Sequence, residues 1–322
     1  MNRDNSDSLG EQASKQPAIS PDDFIQSPLE SVPADSPLPF PVYVKISDRL
    51  ILFRAQGDKL TTRRVSSLRE RVSVVYIPKE SWVEYLDTLE KDNDTDTTPN
   101  ESSVIRLRHL LLAYHQYLER KKSIQIEHVE KLRALGARLA LSLKNNPSLG
   151  PRLLRRYDDP AFYFVNHNVN VAIYSAAVGH KLGLSLGQVK TLTFGALMHN
   201  LGNLFISPKI LYKPGPLSDE EWQVVHRHPI KGAQLLEMFR LPREVILTAL
   251  QHHERIDGEG YPTKAKGSDI HAFAKITTIA DVYDALTNRA PYQSGLLPAN
   301  AVEKMRHMLG KFEPQILSML ST

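Results

Sequence analysis

Two textures of hydrophobic and polar positions divide this chain. From Pro39 to about residue 90, apolar residues come in short alternating runs. VYVKI (42–46), ILFRAQG (51–57) and VSVVYI (72–77) have the period-two pattern and β-branched content of strands. Between them TTRRVSSLRER (61–71) reads as a short helix, and PKESWVEYLDTL (78–89) as a longer one with Pro78 near its start. The expectation is a small α/β module over residues 39–90, followed by a linker at 91–102, where KDNDTDTTPNES breaks every pattern.

From residue 103 to 322 apolar residues recur at three-and-four spacing, which predicts helix after helix. VIRLRHLLLAYHQYLER (104–120) and IEHVEKLRALGARLALSLK (126–144) open the series. A third helix is expected from Asp159–Pro160 to Gly183. Ser185 with Gln188, and Ser218 with Glu221, have the spacing of capping boxes, flanked by Leu184 and Val189 or Leu217 and Trp222 as apolar staples. The fold class is therefore mainly α: an all-α helical domain preceded by the small α/β module.

Composition narrows the chemistry. Residues 1–38 hold Pro17, Pro21, Pro28, Pro33 and Pro37 among polar residues and read as a disordered tail. That tail is acidic, so the remainder is more basic than the chain's net charge of +4. A basic surface suits an anionic partner, but no basic stripe interleaved with aromatics indicates nucleic acid. The N-terminus has no signal-peptide core and no apolar run reaches the roughly 18 residues of a membrane span, so a cytoplasmic protein with no membrane association is expected. The absence of cysteine excludes disulfides, thiolate metal sites and cysteine nucleophiles.

Any metal must then be held by nitrogen and oxygen. Of twelve histidines, His167, His199, His228 and the adjacent His252 and His253 fall on separate helices or helix ends, and Asp281 lies in the apolar helix KITTIADVYDAL. A lone histidine on an apolar helix face is most often a packed core residue. Five of them beside a helical aspartate form a ligand set for iron, manganese or zinc.

The segment HHERIDGEGYP, His252 to Pro262, carries a resemblance to a known family, supported by LYKPGPLSDEEW, HRHPIKGAQLL, IADVYDALTNRAPY and KFEPQIL. Residues from about 155 to 318 resemble an HD-GYP domain, the branch of the HD phosphohydrolase superfamily associated with cyclic di-GMP hydrolysis. The resemblance implies metal ligation by His167, His199, His228, His252, His253 and Asp281. It implies a ligand or partner loop at Gly260, Tyr261 and Pro262, with a GGDEF domain as one candidate partner. Gly258 and Gly260 are expected to adopt positive φ in that loop, and Pro262 to fix its exit.

Several positions depart from the family pattern. The dyad aspartate that bridges two metal ions is Asn200, and the lysine that follows it is Asn203. An asparagine offers one neutral carbonyl oxygen where a carboxylate would bridge two cations, and an amide at 203 removes a positive charge from the phosphoryl site. Basic residues expected beside Pro-Tyr are Ala290 and Gln293, with Arg289 displaced by one, and Tyr163 stands where a third-metal glutamate would be.

The implied protein is a catalytically impaired HD-GYP homologue acting as a cyclic di-GMP sensor or protein-interaction module, with homodimerisation as a further possibility. At most one ion, iron or manganese, is expected. His167, His199 and Asp281 with Asn200 would hold it, and an apo cluster of hydrogen-bonded imidazoles is the equal alternative. The competing reading is an active metal-dependent phosphodiesterase that uses Asn200 in place of the aspartate.

Overall fold

The computed structural model describes residues 23–32, 34–47, 49–59, 61–69, 71–72, 74–93, 108–111, 113, 124–154, 163–213, 215–288, 295–308 and 310–320. The chain divides into two compact units, Met1–Thr88 and Leu89–Thr322.

The first unit is a four-stranded antiparallel sheet with helices. Strands β1 (Phe24–Pro28), β2 (Val42–Ile46), β3 (Arg49–Arg54) and β4 (Val74–Pro78) lie in the order β1-β4-β2-β3. Helix α1 (Thr62–Arg69) connects β3 to β4, and α2 (Trp82–Asn93) follows β4. Strand β1 corrects the expectation of a tail to residue 38. It pairs with β4 from Phe24↔Pro78 to Pro28↔Val74, and Phe24, Ile25, Leu29, Val32, Leu38 and Phe40 are core residues. An edge position explains how a proline-rich stretch makes a strand: Pro28 sits at the strand's end, where a missing N–H costs no central ladder bond. Residues 1–22 of the expected tail lie outside the described residues. Helix α2 also runs to Asn93, into the expected linker, whose remaining residues 94–102 are likewise outside.

The second unit is helical. Its main helices are α3 (Ile126–Asn145), α4 (Leu149–Leu153), α5 (Tyr163–Lys181), α6 (Leu186–Met198), α7 (Pro208–Leu211), α8 (Asp219–Val225), α9 (His228–Met238), α10 (Arg243–Gln251), α11 (Ala272–Thr287), α12 (Pro298–His307) and α13 (Pro314–Ser318). Of the helix expected at 104–120 only residues 108–111 and 113 are described, and they are helical. The expected start of the third helix at Asp159–Pro160 lies outside the described residues. Its end is as read: Gly183 has φ 74°, and Leu184 N–H donates to Gly179 O while Gly183 N–H donates to His180 O, a Schellman closure.

Both capping boxes form. Ser185 and Gln188 exchange backbone-to-side-chain bonds at 2.9 and 3.3 Å, and Ser218 and Glu221 do so at 2.7 and 3.3 Å. Helix α6 is buried all round from Leu192 to Met198, and it packs against α3, α5 and α10. Helix α11 packs on α5 and α10. Its apolar residues Phe273, Ile276, Ile279 and Tyr283 share a core with Ala301 and Met305 of α12 and Ile316 and Leu317 of α13. No helix among the described residues is long and apolar enough to cross a membrane.

Candidate metal centre

Helix ends deliver most of the histidines. His199 is the C-cap of α6, His252 is the C-cap of α10 with His253 after it, and His228 opens α9. His167 and Asp281 come from within α5 and α11. Of the seven residues named as ligands from the sequence, the structure brings together the five histidines and Asp281, and Asn200 follows His199 in the chain.

One local device orients three of the rings. Nδ1 of His199, His228 and His252 lies 2.7, 2.7 and 2.8 Å from the carbonyl oxygens of Ala196, Val225 and Ala249, each three residues earlier. A carbonyl only accepts, so each Nδ1 carries the proton and each Nε2 presents its lone pair. All three rings are buried. His199 is 0% exposed, and its Nε2 has no hydrogen-bond partner among the described residues. The Nε2 atoms of His228 and His252 face each other at 3.1 Å, where a hydrogen bond would need an added proton. Burial opposes that proton, lowering the pKa of His228 to about 3 and that of His252 well below its ordinary value.

The ligand atoms form two groups, His167/His199/Asp281 and His228/His252/His253, each within 4.8 Å. His253 Nδ1 joins them at 3.8 Å from Asp281 Oδ2. His167 Nε2 lies 2.8 Å from Asp281 Oδ1, and its Nδ1 lies 2.8 Å from Asp284 Oδ2. Burial works against charge on His167, yet the hydrogen bonds and charges of these two carboxylates outweigh it and raise its pKa to about 10. Burial also works against charge on Asp281, and the His167 hydrogen bond holds that carboxyl well below the usual range. A buried set of inward lone pairs with one carboxylate fits a divalent cation of the kind that binds nitrogen and oxygen.

Asn200 follows His199 and heads the 3₁₀ turn Leu201–Phe205, which carries Asn203. A Cβ on Gly202 would meet the His228 carbonyl oxygen at 1.9 Å, so only glycine lets this turn lie against the start of α9. Asn200 Nδ2 donates to Asn168 Oδ1 at 3.2 Å.

In the GYP loop Gly258 has φ 82°, as read from the sequence. Gly260 differs: its φ is ordinary, and glycine is required because a Cβ would come within 2.5 Å of the Arg255 nitrogen. Tyr261 is sandwiched between His226 and His253, with ring centroids 4.1 and 4.7 Å away. Glu254 is 2% exposed and accepts from Thr263 N, Thr263 Oγ1 and Ala265 N at 2.6, 2.7 and 3.1 Å, pinning the strand of loop beyond Pro262. Arg289, Ala290 and Gln293 lie outside the described residues.

Sequence reasoning missed four contributors. Asp284 is 0% exposed, receives Asn170 Nδ2 at 2.9 Å and Asn288 Nδ2, and orients His167 from behind. Its signal was present as a second aspartate one helical turn after Asp281. Glu254 directly follows the histidine pair, and His226 shares the HRH triplet with His228. Asn168 had no signal beyond adjacency to His167.

A family model described as HD domain matches residues 115–316. A cyclic di-GMP phosphodiesterase of Pseudomonas aeruginosa, PA4108, is 37% identical over 155 residues, 48% of this chain and 37% of that protein. The cyclic di-GMP phosphodiesterase response regulator RpfG of Xanthomonas campestris is 36% identical over 146 residues, 44% of this chain and 39% of its own length. The match thus spans well under half of these relatives. Among solved structures, Bd1817, an HDG"Y"P protein from Bdellovibrio bacteriovorus, aligns with a TM-score of 0.70 at 24% identity, covering 92% of this chain and 98% of that one, which shows a shared fold. With the matched region, the assembled ligands and Gly260-Tyr261-Pro262 in place, the chain belongs to the HD domain family, in its HD-GYP branch.

Proposed function

We propose that this chain is a catalytically impaired HD-GYP protein of bacterial cyclic di-GMP signalling, working in the cytoplasm as a sensor of the dinucleotide or as a docking module for a signalling partner such as a GGDEF protein. One observation carries this reading: Asn200 and Asn203 occupy one turn beside an otherwise complete ligand set. A divalent ion, when bound, supplies a Lewis acid and lowers the pKa of its water. The chain's own part is to hold it: once the proton shared between His167 Nε2 and Asp281 is displaced, His167, His199 and Asp281 would form a singly anionic group, and His228, His252 and His253 a neutral one. Asn200 adds no negative charge between the groups. Asn203 brings no cation to the place where a phosphoryl oxygen would gather charge, a contribution usually measured at about 2.7 to 4 kcal/mol for one lost donor.

The second reading, an active phosphodiesterase with Asn200 as a neutral ligand, is favoured by the convergence of all five histidines and Asp281. Anaerobic cyclic di-GMP hydrolysis with iron(II) or manganese(II) separates the two, running the wild type beside Asn200→Asp/Asn203→Lys. The impaired reading expects a wild type without turnover and an active double variant. Robust wild-type turnover establishes the second reading instead.

A further inference from the structure

We propose that Asn168 is a positioning residue for the metal centre, which turns the Asn200 amide so that its carbonyl oxygen, and not its NH₂, is the group available to a cation. An asparagine at a ligand position is ambiguous, since one end of the amide can donate to a cation and the other repels it. The outcome depends on a single torsion, because the terminal rotation of asparagine is broad and roughly two-fold.

Two contacts set the orientation seen here. The backbone of Asn200 is set by the turn it heads, which Gly202 seats against the His228 carbonyl. The remaining freedom is taken up by Asn168, 7% exposed on α5, whose Oδ1 accepts from Asn200 Nδ2 at 3.2 Å. Asn200 Oδ1 has no hydrogen-bond partner among the described residues and is left as the uncommitted end. The residues that follow two metal-facing histidines, His167 and His199, thus meet each other as the rings do at a centroid distance of 5.6 Å. Asn168 and Asn200 act as a pair that makes the dyad position a neutral oxygen donor.

The inference takes from the proposed function only that the centre holds a divalent ion, and its test reads metal and not turnover. Mn(II) binding to the full chain is measured anaerobically by calorimetry, with Mn(II) electron paramagnetic resonance reporting the coordination, for wild type, Asn168→Ala, Asn200→Ala and the double variant. Each single variant is expected to weaken Mn(II) binding about 10- to 100-fold, the range of outer-sphere partners of metal ligands. The double variant should be no weaker than Asn200→Ala, because the two residues act through one amide. Asn168→Asp keeps the acceptor and should bind Mn(II) at least as tightly as wild type, which also covers the case of an unfolded alanine variant.

Unchanged or tighter binding in Asn168→Ala overturns the proposal, since a freed or reversed amide would then serve as well. Additive losses, weaker binding in Asn168→Asp, or a wild type that binds no Mn(II) overturn it too. Wild-type hydrolysis of cyclic di-GMP would sink the proposed function while leaving the Mn(II) comparison standing.

Discussion

His167 and His252 are both nearly closed off from solvent, but their surroundings differ in charge. His167 lies between Asp281 and Asp284 and keeps a positive charge in the fold. His252 faces His228 and His253, and nothing in its group is anionic. Within the first group His167 and its carboxylates are electrically satisfied by protein alone, through a buried carboxylate–imidazolium network. The second is unsatisfied until a cation arrives, because two Nε2 lone pairs confront each other at 3.1 Å. Burial in both places shows that burial does not by itself say whether a polar cluster stabilises the fold. Charge complementarity decides that.

The comparison breaks most clearly at Asp284. Asp284→Asn leaves His167 with one anionic partner and should destabilise the chain by about 3 to 5 kcal/mol, the usual loss when one partner of a buried ion pair is removed. Denaturant unfolding in chelator measures it, and a loss below about 1 kcal/mol would mean that the first group is not self-sufficient. In contrast, His252→Leu replaces a ring whose lone pair is unpaired and should change chelated stability by less than about 1.5 kcal/mol, in the manner of a volume-conserving core swap. The stabilisation it should lose is the metal-dependent part, about 2.7 kcal/mol for each ion present at a hundred times its dissociation constant. Equal metal-dependent gains in wild type and His252→Leu would remove His252 from the ligand set.

A finer distinction concerns the GYP loop, which touches the neutral group through His253. Glu254→Gln places an NH₂ against either Ala265 N–H or the Thr263 donors and should cost about 1 to 3 kcal/mol of local stability. Amide exchange at residues 263–265 is expected to speed up while exchange in α5 and α11 stays unchanged. Uniform acceleration across the helical unit would show that the loop and the core open together.

The ligands could be read from the sequence because HHERIDGEGYP and the segments that support it carry most of them, while the capping boxes at Ser185 and Ser218 and the Gly183 stop mark helix boundaries between them. The supporting residues were hidden because they act across long separations: Asp284 meets His167 over 117 residues, and Asn168 meets Asn200 over 32. Period and propensity carry no information on such pairs. Strand β1 escaped for a related reason, since its five residues gain their conformation from β4, about fifty positions away, and not from local preference.

Gly202 has a consequence for how this turn can vary. The glycine, and not the side chains at 200 and 203, sets the path of the turn, so those two positions can exchange chemistry while the backbone stays where it is. In the genetic code an asparagine codon is one base from an aspartate codon and one base from a lysine codon. A gene with this turn therefore lies two point mutations from the complete dyad and lysine, and a lineage can lose or regain them without refolding anything on the way.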